Sequence, residues 1–195
     1  FLMTDSSVPT IRIQDCNSEP VRAGGDFVLY WMIASRRLSS NFALQRAMEW
    51  AVELRKPIVI FEPLRIGYQW ASDRIHRFII DGMADNAAQI AALKNHGVVY
   101  FPYVEPTPDA GQGLLAALAQ RACVVVTDDF PSFFVPRMVA AAAKILPLKL
   151  EQVDSNGILP LRATERVFTT AFSFRAFLQK ELPAHFEHFP KADPL

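Results

Sequence analysis

Residues 26–44 read DFVLYWMIASRRLSSNFAL. The first part, residues 27–33, is an unbroken apolar run, rich in β-branched and aromatic side chains and free of turn residues. A strand covered on both faces has this composition. A polar loop follows over residues 35–40. Asn41 or a neighbouring serine is then placed to cap a helix whose apolar positions are Leu44, Ala47, Met48, Ala51 and Leu54. Buried strand, polar loop and amphipathic helix make the first half of a βαβ unit.

Upstream, residues 3–25 mix Pro, Ser, Asp and Gly and end at Gly24-Gly25. Ile11 and Ile13 alternate with Arg12 and Gln14, so a short edge strand or an extended arm is expected. Downstream, Lys56-Pro57 ends the first helix, because proline pushes its predecessor out of the helical region. Residues 58–61 read as a second buried strand that leaves through Glu62-Pro63-Leu64. A long helix over residues 72–95 keeps Ile75, Phe78, Ile79, Met83, Ile90 and Leu93 near one stripe, and Asn95-His96-Gly97 stops it. Residues 98–101 form a third strand, residues 113–120 a helix, and residues 123–127 a fourth strand with Asp128-Asp129-Phe130-Pro131 at its exit. Val135, Met138, Val139 and Ala142 define another helix, and residues 148–154 alternate as a fifth strand. Strands alternating with helices give an α/β fold: a doubly wound, Rossmann-like, five-stranded parallel sheet of order 3-2-1-4-5 with a C-terminal loop and helix extension. The expected division is an N-terminal arm (1–25), an α/β domain (26–154) and an extension (155–195).

The chain has 195 residues, enough for one domain with a full core. Half of them are apolar, which marks a globular chain and not a disordered one. Basic and acidic residues balance at 20 each, so the basic excess of a free-standing nucleic-acid binder is missing. Cys123 opens an apolar run and reads as a small buried hydrophobe, not as a disulfide half for Cys16, and a reducing cytoplasm fits. Residues 4–26 hold no apolar core of a secretion signal, and no uncharged apolar stretch of membrane-spanning length exists.

Open α/β sheets bind ligands outside the carboxyl ends of their strands, where the strand order reverses. Here that crevice falls between the first and fourth strands. The facing loops bring together Trp31, Met32, Ser35, Arg36, Arg37, Phe61, Glu62 and Asp128, the cofactor-binding candidates, with Asp129 beside them. On the functional reading, arginine and carboxylate grip a polar ligand whose rings lie on Trp31, Phe61 or Phe130. On the plainer reading, the arginines are solvated and Asp128 caps the next helix. Gly111-Gln112-Gly113 lacks the third glycine of a dinucleotide fingerprint and reads as a helix start. Glu62 with Asp128 and Asp129, and His185 with His188, are weak metal sets. No G-x-S-x-G elbow or nucleophile–base pair stands out, so no catalytic residue and no metal ligand is assigned.

Tyr30-Trp31-Met32, Arg37 five residues further on, and Asn41-Phe42-Ala43-Leu44 resemble the opening signature of the class II DNA photolyases. That signature is a YWM strand, a loop ending in Arg and an Asn-Trp-Ala-Leu helix start. Ala34 and Ser35 stand where the family usually has Arg and Asp, and Phe42 where it has Trp. Arg74, Phe78 and Gly82 keep the Arg-x-x-x-Phe-x-x-x-Gly frame of its second helix. Val153-Asp154 with Ile158-Leu159-Pro160, and Leu182-Pro183 with Phe189-Pro190, resemble two later family segments, while the Cys-Trp and Arg-Pro-Lys motifs are not kept.

The resemblance implies the N-terminal α/β domain of an enzyme for light-driven repair of cyclobutane pyrimidine dimers. It implies an antenna chromophore there, 8-hydroxy-5-deazaflavin or methenyltetrahydrofolate. FAD and most of the DNA-binding surface would belong to a helical partner domain beyond this chain, so damaged DNA is met only by the full protein and the chain alone is not expected to be catalytic. A second reading is a stand-alone α/β module of the same superfamily that binds a nucleotide or another protein. Under either, the aromatic-rich residues 168–189 are expected to expose apolar surface to a partner.

Overall fold

A computed structural model describes residues 6–93 and 97–195. Among the described residues the strands are Ile13–Asp15 (β1), Phe27–Trp31 (β2), Ile58–Leu64 (β3), Val98–Val104 (β4), Ala122–Asp129 (β5) and Leu150–Asp154 (β6). The α-helices are Phe42–Leu54 (α1), Asp73–Ala92 (α2), Leu114–Ala119 (α3), Val135–Ile145 (α4) and Ala171–Glu181 (α5). β2 lies inside the sheet, paired in parallel with β3 through Val28↔Ile58 to Trp31↔Phe61 and with β5 through Leu29↔Val125 to Trp31↔Thr127. Its side chains alternate between two apolar layers, as strand geometry requires. Val28, Tyr30 and Met32 join α1 and the end of α2 on one face, while Leu29, Trp31 and Ile33 join α3 and α4 on the other.

The expected five-stranded, all-parallel sheet is corrected to a mixed sheet of six strands, in the order β1-β6-β5-β2-β3-β4. β1 supplies the extra strand, running antiparallel to β6 with Ile13 opposite Val153. Buried Arg12 pins it there, donating to the carbonyls of Asp154, Gly157 and Ile158, with its guanidinium 4.8 Å from the centre of the Phe42 ring. Two isoleucines in alternation suggest a strand but do not name its neighbour. Between β1 and β2 the chain passes close to β5 at Gly25, where a Cβ would stand 2.6 Å from the carbonyl carbon of Ala122.

Two strands outrun their expected ends. β4 continues through Pro102, and β3 continues through Pro63. β4 is an edge strand, and beyond Phe61 the register pairs β3 with β4 alone. A missing N–H is tolerated at such edges. α1 begins as expected: Asn41 Oδ1 accepts from the N–H groups of Ala43 and Leu44 at 2.9 and 3.1 Å. Arg46 holds α1 to β6, donating from Nε and Nη2 to Glu151 at 2.8 and 3.0 Å, and Trp50 Nε1 donates to the same carboxylate at 2.8 Å. The stripe expected along α2 is corrected too. Only Met83 and Asn86 are buried, while Ile75 and Phe78 face outward. The expected helix stop at Asn95-His96 lies outside the described residues.

After β6 the chain stays tied to the sheet beyond the bonds from Arg12. Leu161 N–H donates to Asp154 at 2.6 Å, and Arg162 pairs with Asp129. At the far end Lys191 N–H donates to Gln45 at 2.9 Å, Ser40 N–H donates to the Ala192 carbonyl, and Leu195 packs on the α1 layer. Between these ties α5 has no buried residue. The rings of Phe168, Phe174 and Phe177 pack on one another, and Val167, Phe172 and Phe189 stay exposed.

Candidate functional site

At the carboxyl end of β2 the backbone turns so that three consecutive N–H groups converge on one oxygen of Asp128. Ile33, Ala34 and Ser35 donate to Oδ2 at 2.9, 2.8 and 3.0 Å. Tyr30 donates its hydroxyl to Oδ1 at 2.7 Å, and Asn41 Nδ2 donates to the Tyr30 oxygen at 3.0 Å. The same Asn41 nitrogen also donates to the carbonyls of Ser35 and Arg37, so the helix cap and the loop form one network. Burial pushes the Asp128 carboxyl above the usual carboxylate range, and the amides and the Tyr30 hydroxyl pull it back. Burial, with Asp128 alongside, pushes Tyr30 well above the ordinary phenol. Asp128 does not cap the following helix, since α4 has Phe134 at its N-cap and no side-chain cap.

Glu62 anchors a second network. Arg36 Nη1 donates to Oε1 at 3.1 Å, while Asn86 Nδ2 and the Tyr100 hydroxyl donate to Oε2 at 3.0 and 2.7 Å. Arg36 also donates to the Pro63 carbonyl at 2.7 Å, tying the loop after β2 to β3. Arg37 is exposed and donates to the Ser40 carbonyl within its own loop. Trp31 and Met32 are buried on opposite faces of β2, and Phe61 packs 5.4 Å from Phe101. The fold therefore joins Ser35 to Asp128 and Arg36 to Glu62. It gathers none of the eight candidates into the lining of the large cleft beside them.

That cleft, about 1140 Å³, opens between the loop after β3, the start of α2 and the loop from β5 to α4. Ile33 and Ala34 line it where β2 ends, and Tyr68, Trp70, Phe130, Phe133 and Phe134 supply rings. Tyr68 and Phe134 lie 5.5 Å apart, and Trp70 meets Phe133 edge-on at 6.1 Å. Phe130 and Phe133 are parallel within 4° with centroids 6.5 Å apart. Trp70 and Phe133 both hold left-handed backbone, at φ 69° and 60°, and both remain about two-thirds exposed. Bulky residues pay roughly 1–3 kcal/mol for that conformation, and such strain collects at ligand clamps. Among the described residues, the charged groups lining the cleft are two cations, Arg65 and Arg137, of which Arg65 is paired with Asp109 at 2.9 Å. A ring-lined cavity with cations and no carboxylate suits a planar aromatic body, neutral or anionic. Phe130 was legible as a ring surface. Tyr68, Trp70, Phe133 and Phe134 were not, because only the fold brings residues 68–70 against residues 130–134. Among the described residues no cluster of three or more His, Cys, Asp or Glu could hold a metal ion. None of the helices described is long and apolar enough to cross a membrane.

Fold and cleft together define an α/β domain with a ring-lined cleft at the carboxyl edge of its sheet. No family model matches the chain. It is 31% identical over 172 residues to a deoxyribodipyrimidine photo-lyase of Methanothermobacter thermautotrophicus, covering 88% of this chain and 37% of that protein. It is 26% identical over 171 residues to a deoxyribodipyrimidine photo-lyase of Arabidopsis thaliana, covering 86% of this chain and 33% of that protein. The chain is a domain of the photolyase family, and it spans about a third of the length of the curated relatives it matches. These matches do not favour the stand-alone module.

Proposed function

We propose that this chain is the antenna-chromophore domain of a photolyase-like protein resembling class II, one that repairs cyclobutane pyrimidine dimers in DNA under light when joined to a helical FAD-binding domain. The cleft carries the reading: five aromatic rings, two of them held in strained backbone, line a cavity of about 1140 Å³. The antenna, 8-hydroxy-5-deazaflavin or methenyltetrahydrofolate, would absorb light and pass the excitation to the flavin. Tyr68, Trp70, Phe130 and Phe133 would hold its ring system, and Arg65 and Arg137 would face its polar substituents. Support for the helical partner comes from α5, which buries nothing, from Phe172 exposed in its first turn, and from Phe189 exposed further along the chain. Residues 155–195 would then be the docking extension. A cytoplasmic setting belongs to the same reading, and two free cysteines suit it.

The test is chromophore uptake. The purified chain is mixed with each antenna candidate, separated from free ligand, and its visible spectrum compared with that of a denatured sample. One candidate should co-elute with a shifted band, and Trp70→Ala or Phe133→Ala should weaken its binding by about tenfold, the worth of one aromatic contact. Retention of neither compound ends the antenna reading.

A further inference from the structure

The loop that closes over Asp128 has the form of an anion site. Successive backbone N–H groups converging on one point make a nest for a phosphate or carboxylate oxygen. In doubly wound sheets the exit of a central strand, where strand order reverses, is where ligands bind, and a helix N-terminus beside it favours anions. In this protein the donors that converge there already have internal acceptors. The N–H groups of Ile33, Ala34 and Ser35 all point at Asp128 Oδ2, and the first-turn N–H groups of α1, from Ala43 and Leu44, point at Asn41 Oδ1. Asp128 is 1% exposed and arrives from β5, the strand next to β2, so its carboxylate fills the nest from inside the sheet.

The nest also borders the cleft. Ile33 and Ala34 donate to Asp128 and line the ring-lined cavity as well. A phosphate carried into the cleft on a ring ligand would find no free amide at the end of β2. It would meet the Asp128 carboxyl in a poorly solvated setting, where like charges repel strongly. The cations lining the cleft do not replace the nest. Arg65 already faces Asp109, and Arg137 is exposed, so its attraction is weakened by water and salt.

We propose that Asp128 is a specificity-determining residue: it occupies the anion site that the end of β2 would otherwise offer to a phosphate, so the cleft accepts planar ring compounds without a phosphate and rejects the same rings bearing one. The ring half of this inference rests on the chromophore reading of the cleft. The filled nest does not.

Riboflavin and FMN share one ring system and differ by a phosphate. Each is titrated, by fluorescence, into the wild-type chain and into Asp128→Gly. In parallel, inorganic phosphate is titrated into both isotope-labelled proteins while the amide resonances of Ile33, Ala34 and Ser35 are followed. The wild type should bind riboflavin about tenfold or more tighter than FMN, a preference of the size one repulsive element produces. Its three amides should ignore millimolar phosphate. In Asp128→Gly the preference should collapse, and phosphate should shift the amides saturably. Equal or tighter binding of FMN by the wild type overturns the proposal, as does a folded Asp128→Gly that gains no phosphate site. Should that variant fail to fold, the wild type decides: amides that move saturably with phosphate refute the filled nest, and still amides together with rejected FMN uphold it. If neither riboflavin nor FMN binds, the ring half of this inference falls while the antenna reading keeps its own test, and the phosphate titration alone settles the role of Asp128.

Discussion

Tyr30 on β2 and Asp128 on β5 meet across the interior of the sheet, hydroxyl to carboxylate at 2.7 Å, and neither is exposed by more than 1%. They stand 98 residues apart in the chain. Removing the hydroxyl in Tyr30→Phe takes one donor from Asp128 and one acceptor from Asn41 but leaves the three loop amides in place. A hydrogen bond to a charged group is worth about 1.5–3 kcal/mol, so the midpoint of urea unfolding should fall by that much stability with little change in slope. An unchanged midpoint would show that the network does not hold the loop.

Alkaline pH should act on the same network. Burial raises both Tyr30 and Tyr100 above the ordinary phenol, with Asp128 and Glu62 adding to the effect. The folded state thus keeps these protons more tightly than the unfolded chain. Their contribution to stability is complete below the unfolded tyrosine pKa of about 10 and is lost as pH rises above it. Thermal unfolding followed from pH 8 upward should show a decline setting in near pH 10, and phenolate absorbance should report Tyr30 and Tyr100 ionising only on unfolding. Normal titration of all four tyrosines in the folded chain would contradict this.

Glu151 should rank among the costlier polar residues to remove. Glu151→Ala strips the bidentate partner from Arg46, itself 7% exposed, and orphans the Trp50 N–H. Breaking a buried pair from one side costs about 3–5 kcal/mol. Arg77→Ala breaks an exposed pair with Asp81 on α2 and should leave the unfolding curve unmoved.

The exposed rings of the C-terminal segment should behave in the opposite way. Phe172→Ser and Phe189→Ser remove side chains that face solvent, so stability should stay within about 0.5 kcal/mol of the parent. Binding of a hydrophobic dye and self-association at high concentration should both drop. A large loss of stability would mean that these rings are already covered within the chain.

Cys16 should be a slow thiol. Burial, opposed by a backbone hydrogen bond and reinforced by Asp129 and Asp15, pushes it from 9.0 to about 12. At pH 8 that lowers the thiolate fraction about a thousandfold relative to an ordinary cysteine. Disulfide-reagent titration should find both cysteines sluggish in the native chain and fast in denaturant.

Much of the framework was legible in the sequence. Residues 27–33 and 123–127 announced interior strands because a strand covered on both faces has no polar alternation to show. Asn41 announced the start of α1 because a cap acts within three residues. The YWM signature and the residues that follow it pointed to the photolyases, to which the chain is related. The site was less legible. The sequence marks Arg36, Glu62 and Asp128 as ligand groups, but the fold ties each of them to other parts of the protein.

Sequence by itself determined the alternation of strands and helices, the buried centre around Tyr30 and the family, because these follow from patterns within a few turns of chain and from short signatures. Tertiary structure alone decided that Ile13–Asp15 joins β6, that Arg46 finds Glu151 105 residues away, and that Asp128 fills the loop after β2. It also decided that rings from residues 68–70 and 130–134 form one cleft. A buried polar group must find a partner wherever the packed chain places one, and no local pattern records which partner that will be.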